Sequence, residues 1–296
     1  MTSGVRTGRR PCAGLCLLLL LSACEQVAAP GEEDYQIGFV RDGVLYVTTP
    51  RTTQVRQASD GSSFLLDPSW SPDGRFAAAT QLTQLAGGQE DYQVVVVDSR
   101  TGTQRAITSG PDDHFGVAWS PDGTRIAYLG AAEFARPARL FIANADGTQA
   151  RQVGTGEYWV SRPSWSPDGS QLAMTLYSYD IAIVDAQSGG VVRRLTDDRR
   201  SVAPAWSPDG STIAFTLISG HDSAIRLMDA NGTRQRTLKR EDAFYPAWSP
   251  DGRTIAFISS RGPDPDIFTI RPDGSGERPV TRGGGNDMGP SWRRVP

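Results

Sequence analysis

The pentapeptide Trp-Ser-Pro-Asp-Gly begins at Trp70, Trp119, Trp165, Trp206 and Trp248, and a degenerate sixth copy, Pro-Ser-Trp-Arg-Arg, surrounds Trp292. Successive tryptophans lie 49, 46, 41, 42 and 44 residues apart. A unit of that length cannot bury a hydrophobic face alone, so the units must stack on one another. Four short strand-like segments fill each unit, which selects β-propeller blades over helical repeats.

The fifth full unit serves as a template for strands a to d: Ala247 to Ser249, Thr254 onward (TIAFIS), Asp266 onward (DIFTI) and Arg278 onward (RPVT). Apolar runs such as IAYL, LAMT and VVVVD occupy b and c in the other units, as expected of strands covered on both faces. In Ser-Pro-Asp-Gly the proline presets φ at position i+1 of a type I turn, and glycine closes the a–b hairpin in the left-handed region. The c–d turns (DSRTG, NADG, DAQSG, DANG, RPDG) use glycine in the same way, and none carries the ligand run of a calcium loop. Before Trp70 there are only three strands, QIGFV, VLYVT and QVRQA, which match b, c and d. The segment around Trp292 supplies the missing a. The predicted fold class is therefore all-β: a six-bladed β-propeller of four-stranded antiparallel blades over residues 35–296, in which the C-terminal strand completes the first blade and leaves no open edge around the ring.

Residues 1–23 read as a lipoprotein signal peptide, with Arg6, Arg9 and Arg10 ahead of an apolar run from Ala13 to Leu21. That run is shorter than the roughly 20 residues a membrane-spanning helix needs. Leu21-Ser22-Ala23-Cys24 resembles the lipobox of bacterial lipoproteins and makes Cys24 the expected lipidation site, with 24–34 as a flexible tether. A plain signal peptide with a chance cysteine is the alternative. All three cysteines, Cys12, Cys16 and Cys24, fall at or before this boundary, so the propeller is expected to hold no disulfide and no thiolate metal site. The net charge of −3 becomes more negative once the three signal arginines are removed, which gives no general attraction to nucleic acid or anionic lipid.

The order Trp-Ser-Pro-Asp-Gly, then IAF, then a c strand ending in Asp, then Leu-Thr, resembles the repeats of the TolB propeller family over nearly all of the expected mature chain. The family's namesake is a periplasmic protein with an α/β domain before its six blades, and it joins the lipoprotein Pal and inner-membrane Tol proteins. Here a short tether stands in that place. Similar repeats accompany the hydrolase domain of prolyl-oligopeptidase-like enzymes. The resemblance suggests a module that binds an envelope protein or peptide, which suits the export expected from the signal segment; no cofactor or metal is expected.

The a–b and c–d turns share one rim, and the more variable d–a and b–c loops share the other, where binding residues are expected. The candidates there are Asp113, His114, Phe115, Glu157, Tyr158, Trp159, Asp198, Arg200, His221, Asp242, Phe244, Tyr245, Asn286 and Asp287. Aromatics mixed with charge suit a recognition surface. They equally suit caps on the blade core, with the acids merely solvated. His114 and His221, beside Asp113 and Asp222, are two separated histidines and are expected neither to catalyse nor to bind metal. The tryptophan repeated in each blade reads as packing, whereas Trp159 lies outside the repeat. No Gly-x-Ser-x-Gly, His-Glu-x-x-His or P-loop pattern occurs. The expected function is a lipid-anchored, monomeric, non-enzymatic protein-binding or scaffold module. A polysaccharide-binding or polysaccharide-cleaving propeller is the alternative, because aromatics stack on sugars and paired carboxylates cleave them.

Overall fold

Strands follow the repeat, four to a unit. In this computed structural model, which describes Met1 and residues 35–52, 54–132, 137–158, 161–220 and 222–295, the first blade takes β1 (Tyr35–Arg41), β2 (Val44–Thr48) and β3 (Val55–Gln57). The second is β4 (Phe64–Trp70), β5 (Phe76–Gln84), β6 (Glu90–Asp98) and β7 (Gln104–Ala106), and the third is β8 (Asp113–Trp119), β9 (Arg125–Ala131), β10 (Arg139–Asn144) and β11 (Arg151–Gln152). The fourth is β12 (Ser164–Trp165), β13 (Gln171–Thr175), β14 (Ile181–Asp185) and β15 (Val191–Arg194), and the fifth is β16 (Ser201–Trp206), β17 (Thr212–Ser219), β18 (Asp222–Asp229) and β19 (Arg236–Lys239). The sixth is β20 (Ala243–Trp248), β21 (Ile255–Ser259), β22 (Asp266–Ile270) and β23 (Arg278–Pro279), after which β24 (Asp287–Arg294) returns to the first blade. The signal, Cys24, the tether, Trp159 and His221 lie outside the described residues.

All six sheets are antiparallel and four-stranded, and the first has the order β24-β1-β2-β3. The chain is a six-bladed propeller closed by its last strand, as the strand inventory implies. Closure runs from Tyr35↔Arg294 to Arg41↔Asp287. Arg41 Nε and Nη2 grip the two carboxylate oxygens of Asp287 at 2.6 and 2.7 Å.

The repeated turns work through two side chains. In the second blade Gly74 N–H closes on Ser71 O at 2.8 Å, and Phe76 N–H donates to Ser71 Oγ at 2.9 Å. The Ser71 hydroxyl in turn donates to Asp73 Oδ1, which also takes the N–H of Arg75. The arrangement recurs at Ser120/Asp122, Ser166/Asp168, Ser207/Asp209 and Ser249/Asp251. These hydrogen bonds lower the pKa of Asp73, Asp122, Asp168 and Asp209, and Asp122 is pulled down to about 2, first by the Ser120 hydroxyl.

The inner strands extend further toward the variable rim than the template segment does. Asp113↔Ala131, His114↔Gly130 and Phe115↔Leu129 continue the β8–β9 ladder through residues expected to form a d–a loop. The same holds for Phe244↔Ile258 and for Asp287↔Arg41. A bulge makes this possible. The register shifts between Leu66 and Ser69, Phe115 and Ala118, Val202 and Ala205, and Phe244 and Ala247. Each bulge holds the residue three before the tryptophan, with positive φ at Asp67, Gly116, Ala203, Tyr245 and Gly289. At three of them the N–H is satisfied by a threonine of the preceding blade: Gly116 by Thr80, Ala203 by Thr175 and Tyr245 by Thr216, at 3.2, 3.0 and 3.0 Å. An extra residue bends the strand and re-aims its side chain, here at the ring axis.

The core lies between blades. Ala214, Ile225 and Leu227 of the fifth pack on Ala243, Ile255 and Phe257 of the sixth, and equivalent clusters recur around the ring. Alanines on the b strands let neighbouring sheets approach. Three of the six repeat tryptophans hydrogen-bond to a neighbouring blade, whereas the Trp206 indole N–H donates to Gly210 O within its own blade. The indole N–H groups of Trp165, Trp248 and Trp292 donate to the carbonyls of Ala118, Ala205 and Ala247 in the preceding blade at 3.0–3.1 Å. On the outside, Arg105, Arg151 and Arg236 of the outermost strands reach carbonyls in the next blade, at Ala145, Gln187 and Pro272.

Candidate functional site

The variable rim does not gather its candidate residues into one surface. Asp113 is buried and accepts the Tyr92 N–H at 3.1 Å, tying the start of β8 to β6. His114 is half-buried, with Nδ1 3.2 Å from Gln93 Oε1 and edge-on contacts to Tyr128 and Phe141. Burial pushes its pKa down, against the opposing pull of Asp112, Asp113 and Asp91. Phe115 and Tyr158 belong to the core between the third and fourth blades, and Tyr158 is 0% exposed. Asp287 is fully enclosed with Arg41. These four side chains, Asp113, Phe115, Tyr158 and Asp287, point inward because the strand pairing extends through them.

Others remain at the surface. Glu157 pairs with Arg139 at 3.4 Å, and Asp198 caps its own turn by accepting from Arg200 N–H and Ser201 Oγ–H. Asn286 N–H donates to Asp42, and Asp242 N–H to Asp222. Phe244 packs edge to face on Tyr245 at 5.8 Å. Arg200 joins Tyr179, Arg199 and Ile218 around a rim cavity of about 540 Å³ between the fourth and fifth blades. Tyr179 (φ 62) and Arg199 (φ 55) are held left-handed there, as are Glu241 (φ 64) and Asp242 (φ 50) one blade further on. Such conformations cost about 1–3 kcal/mol each and cluster where function constrains the backbone.

The axis carries a second group of residues. The six positions three before the repeat tryptophans read Asp67, Gly116, Arg162, Ala203, Tyr245 and Gly289, five of them on bulges, so large polar side chains alternate with small ones around the ring. Arg162 crosses the axis. Its Nη1 donates to Pro68 O at 2.6 Å and its Nη2 to Pro290 O at 3.3 Å, in a blade diametrically opposite. Asp67 accepts no hydrogen bond from the described residues. Its side chain lies over Gly289, where an added Cβ would fall 3.3 Å from Asp67 Oδ1. Burial raises the Asp67 pKa while Arg162 lowers it. Burial lowers Arg162, which Asp67 and Tyr245 raise. Tyr245 is pushed up to about 12, mainly by burial. One signal in the sequence pointed here: the residue three before each repeat tryptophan, followed by proline in five of the six copies.

On the opposite rim, tryptophans and prolines of the repeated turns surround the axial mouth as a cavity of about 480 Å³. Among the described residues no group of three or more His, Cys, Asp or Glu side chains is placed to hold a metal ion.

Six four-stranded blades, a closing C-terminal strand and a polar axial bolt define a six-bladed β-propeller with two unlike faces. The chain belongs to the TolB beta propeller domain family, whose pattern matches residues 124–294. It is 32% identical over 112 residues to the "Uncharacterized peptidase YuxL" of Bacillus subtilis, covering 37% of this chain and 17% of that protein. It is 30% identical over 103 residues to the Tol-Pal system protein TolB of Alcanivorax borkumensis, covering 34% of this chain and 24% of that protein. The match thus spans under a third of either relative. Among solved structures, TolB from Acinetobacter baumannii superposes with a TM-score of 0.76 at 20% identity, over 90% of this chain and 68% of that one, which is likeness of fold.

Proposed function

We propose that this protein is a membrane-tethered envelope propeller that holds a protein or peptide partner on its variable rim and catalyses no reaction. The observation that carries the reading is where the chain enters the ring. Tyr35 pairs with Arg294, beside the cavity of the Trp-Ser-Pro-Asp-Gly rim. A tether ending at a lipidated Cys24 leaves from that rim and reaches at most about 40 Å when fully extended. The rim bearing Tyr179, Arg199 and Arg200 then faces away from the bilayer, with an aromatic, two arginines and the exposed Ile218 around a concave surface. Aromatics and arginine dominate the energetics of protein interfaces. Kinship with proteins named for the Tol-Pal system supports an envelope partner.

Crosslinking in intact cells tests the reading, comparing wild type with a variant carrying Tyr179→Ala, Arg199→Ala and Arg200→Ala that retains its circular dichroism spectrum. Loss of one specific protein band is the expected result. If wild type captures nothing that the variant loses, the protein-partner reading fails and glycan binding is tested in its place. Cys24→Ser is expected to move the protein from the membrane pellet to the soluble fraction.

A further inference from the structure

Among the described residues, Arg293 is a buried cation without a counter-ion. Its residue is 4% exposed. Nε donates to Gln36 Oε1 at 2.9 Å, and Nη1 donates to Gly74 O at 3.2 Å and Ser99 Oγ at 2.9 Å. The guanidinium lies 4.7 Å from the centre of the Trp70 ring. All three acceptors are neutral. Burial pushes its pKa down to about 10, and the one charge that bears on it, Arg56, has the same sign. Nη2 donates to no described residue.

An arginine enclosed this far ordinarily meets a carboxylate, because an uncompensated buried charge costs several kcal/mol. Arg293 is instead fixed by neutral groups and an aromatic face, and it lines the cavity of about 480 Å³ at the axial mouth. Trp165, Trp206, Pro121 and Pro208 form apolar walls there, the exposed Arg294 stands at the edge, and among the described residues no acidic one contributes to the lining. A preorganised guanidinium with one nitrogen unused by the described residues, beside apolar walls, matches an anion that has one charged end and an apolar body.

We propose that this cavity binds a small organic carboxylate, whose carboxylate accepts from Arg293 Nη2 and Arg294 while its apolar portion lies against the ring of tryptophans and prolines. The site is on the rim opposite the proposed partner surface and does not depend on that reading. The test is isothermal titration of the protein with 3-phenylpropionate and with its neutral isostere 3-phenylpropionamide. The acid is expected to bind and the amide to bind at least tenfold more weakly, with affinity for the acid falling as salt is raised. Arg293→Gln is expected to lower affinity for the acid at least tenfold. Arg294→Glu, at an exposed position that leaves the interior intact, is expected to weaken it several-fold. The proposal is overturned if neither compound binds, if the amide binds as well as the acid, or if a folded Arg293→Gln protein binds the acid unchanged. Should Arg293→Gln fail to fold, unchanged binding by Arg294→Glu overturns it equally.

Discussion

Replacing Gly38 by alanine measures how closely the first and second blades are set. Gly38 sits on β1 beside the point where its pairing with β24 shifts register. Its backbone is not left-handed, so the effect is one of space alone. An added Cβ would lie 2.2 Å from Trp70 Nε1, 2.7 Å from Cε2 and 2.8 Å from Cζ2. Trp70 cannot simply withdraw, because the Arg293 guanidinium covers its ring at 4.7 Å and Ser69 and Ala77 fix its strand. Overpacking of this kind costs about 1–3 kcal/mol, and displacing a buried tryptophan costs about 3–5 kcal/mol. The expected loss is therefore about 3 kcal/mol, or a fall in melting temperature of roughly 6 °C or more for a domain of this size. Urea unfolding followed by tryptophan fluorescence measures it. Gly190→Ala is the control: its φ is ordinary and its new Cβ would meet only Ser188 Oγ, at 3.4 Å. Trp70→Phe frees the crowded space, so the double variant should be more stable than the sum of the single losses by about 1 kcal/mol. A Gly38→Ala loss below about 0.5 kcal/mol, or strict additivity with Trp70→Phe, would refute the packing argument.

Three further outcomes follow from the geometry. Asp287→Ala leaves Arg41 partly buried opposite an apolar gap and is expected to cost about 3–5 kcal/mol in urea unfolding, whereas Asp287→Asn should retain part of that. Asp122, held at about 2, and Asp73, Asp168 and Asp209, also lowered, stabilise the fold above the ordinary carboxylate value of 3.8. That contribution is lost as pH falls from about 4 toward 2, and melting curves across this range should flatten measurably in Asp122→Asn. Burial lowers the His114 pKa from 6.5, so protonation opposes folding and stability should decline as pH drops below about 6.5; His114→Gln should remove that part of the decline between pH 7 and 5.

The repeat made blade number, strand order and ring closure readable because each rests on local chemistry: a preset proline, a left-handed glycine and a two-residue alternation. The c strand Asp266–Ile270 matches its template residue for residue. What escaped is where strand a begins. A bulge breaks the alternation three residues before five of the six repeat tryptophans, so the segments leading up to it look like loops. The hydrogen bonds that stabilise the bulge come from threonines one blade away, such as Thr175 for Ala203, 28 residues distant. The axial group was hidden for the same reason. Arg162 finds its acceptor at Pro290, 128 residues along the chain, a pairing that only the closed ring creates. Arg293 replaces the Ser-Pro-Asp-Gly serine of the degenerate repeat, so the departure itself was visible while its enclosure was not.

The meeting of Tyr35 with Arg294 also sets an order of events. Residues 35–41 acquire their inner partner only after residues 287–294 have been synthesised and delivered, the longest loop the fold must close. Blades two to six hold all four of their strands within one continuous stretch and can pair as they emerge. The first blade cannot: until the last strand arrives, β1 is an unsatisfied edge open to foreign strands. The ring of such a chain is thus kept from locking early, and final assembly is deferred until its last strand is released.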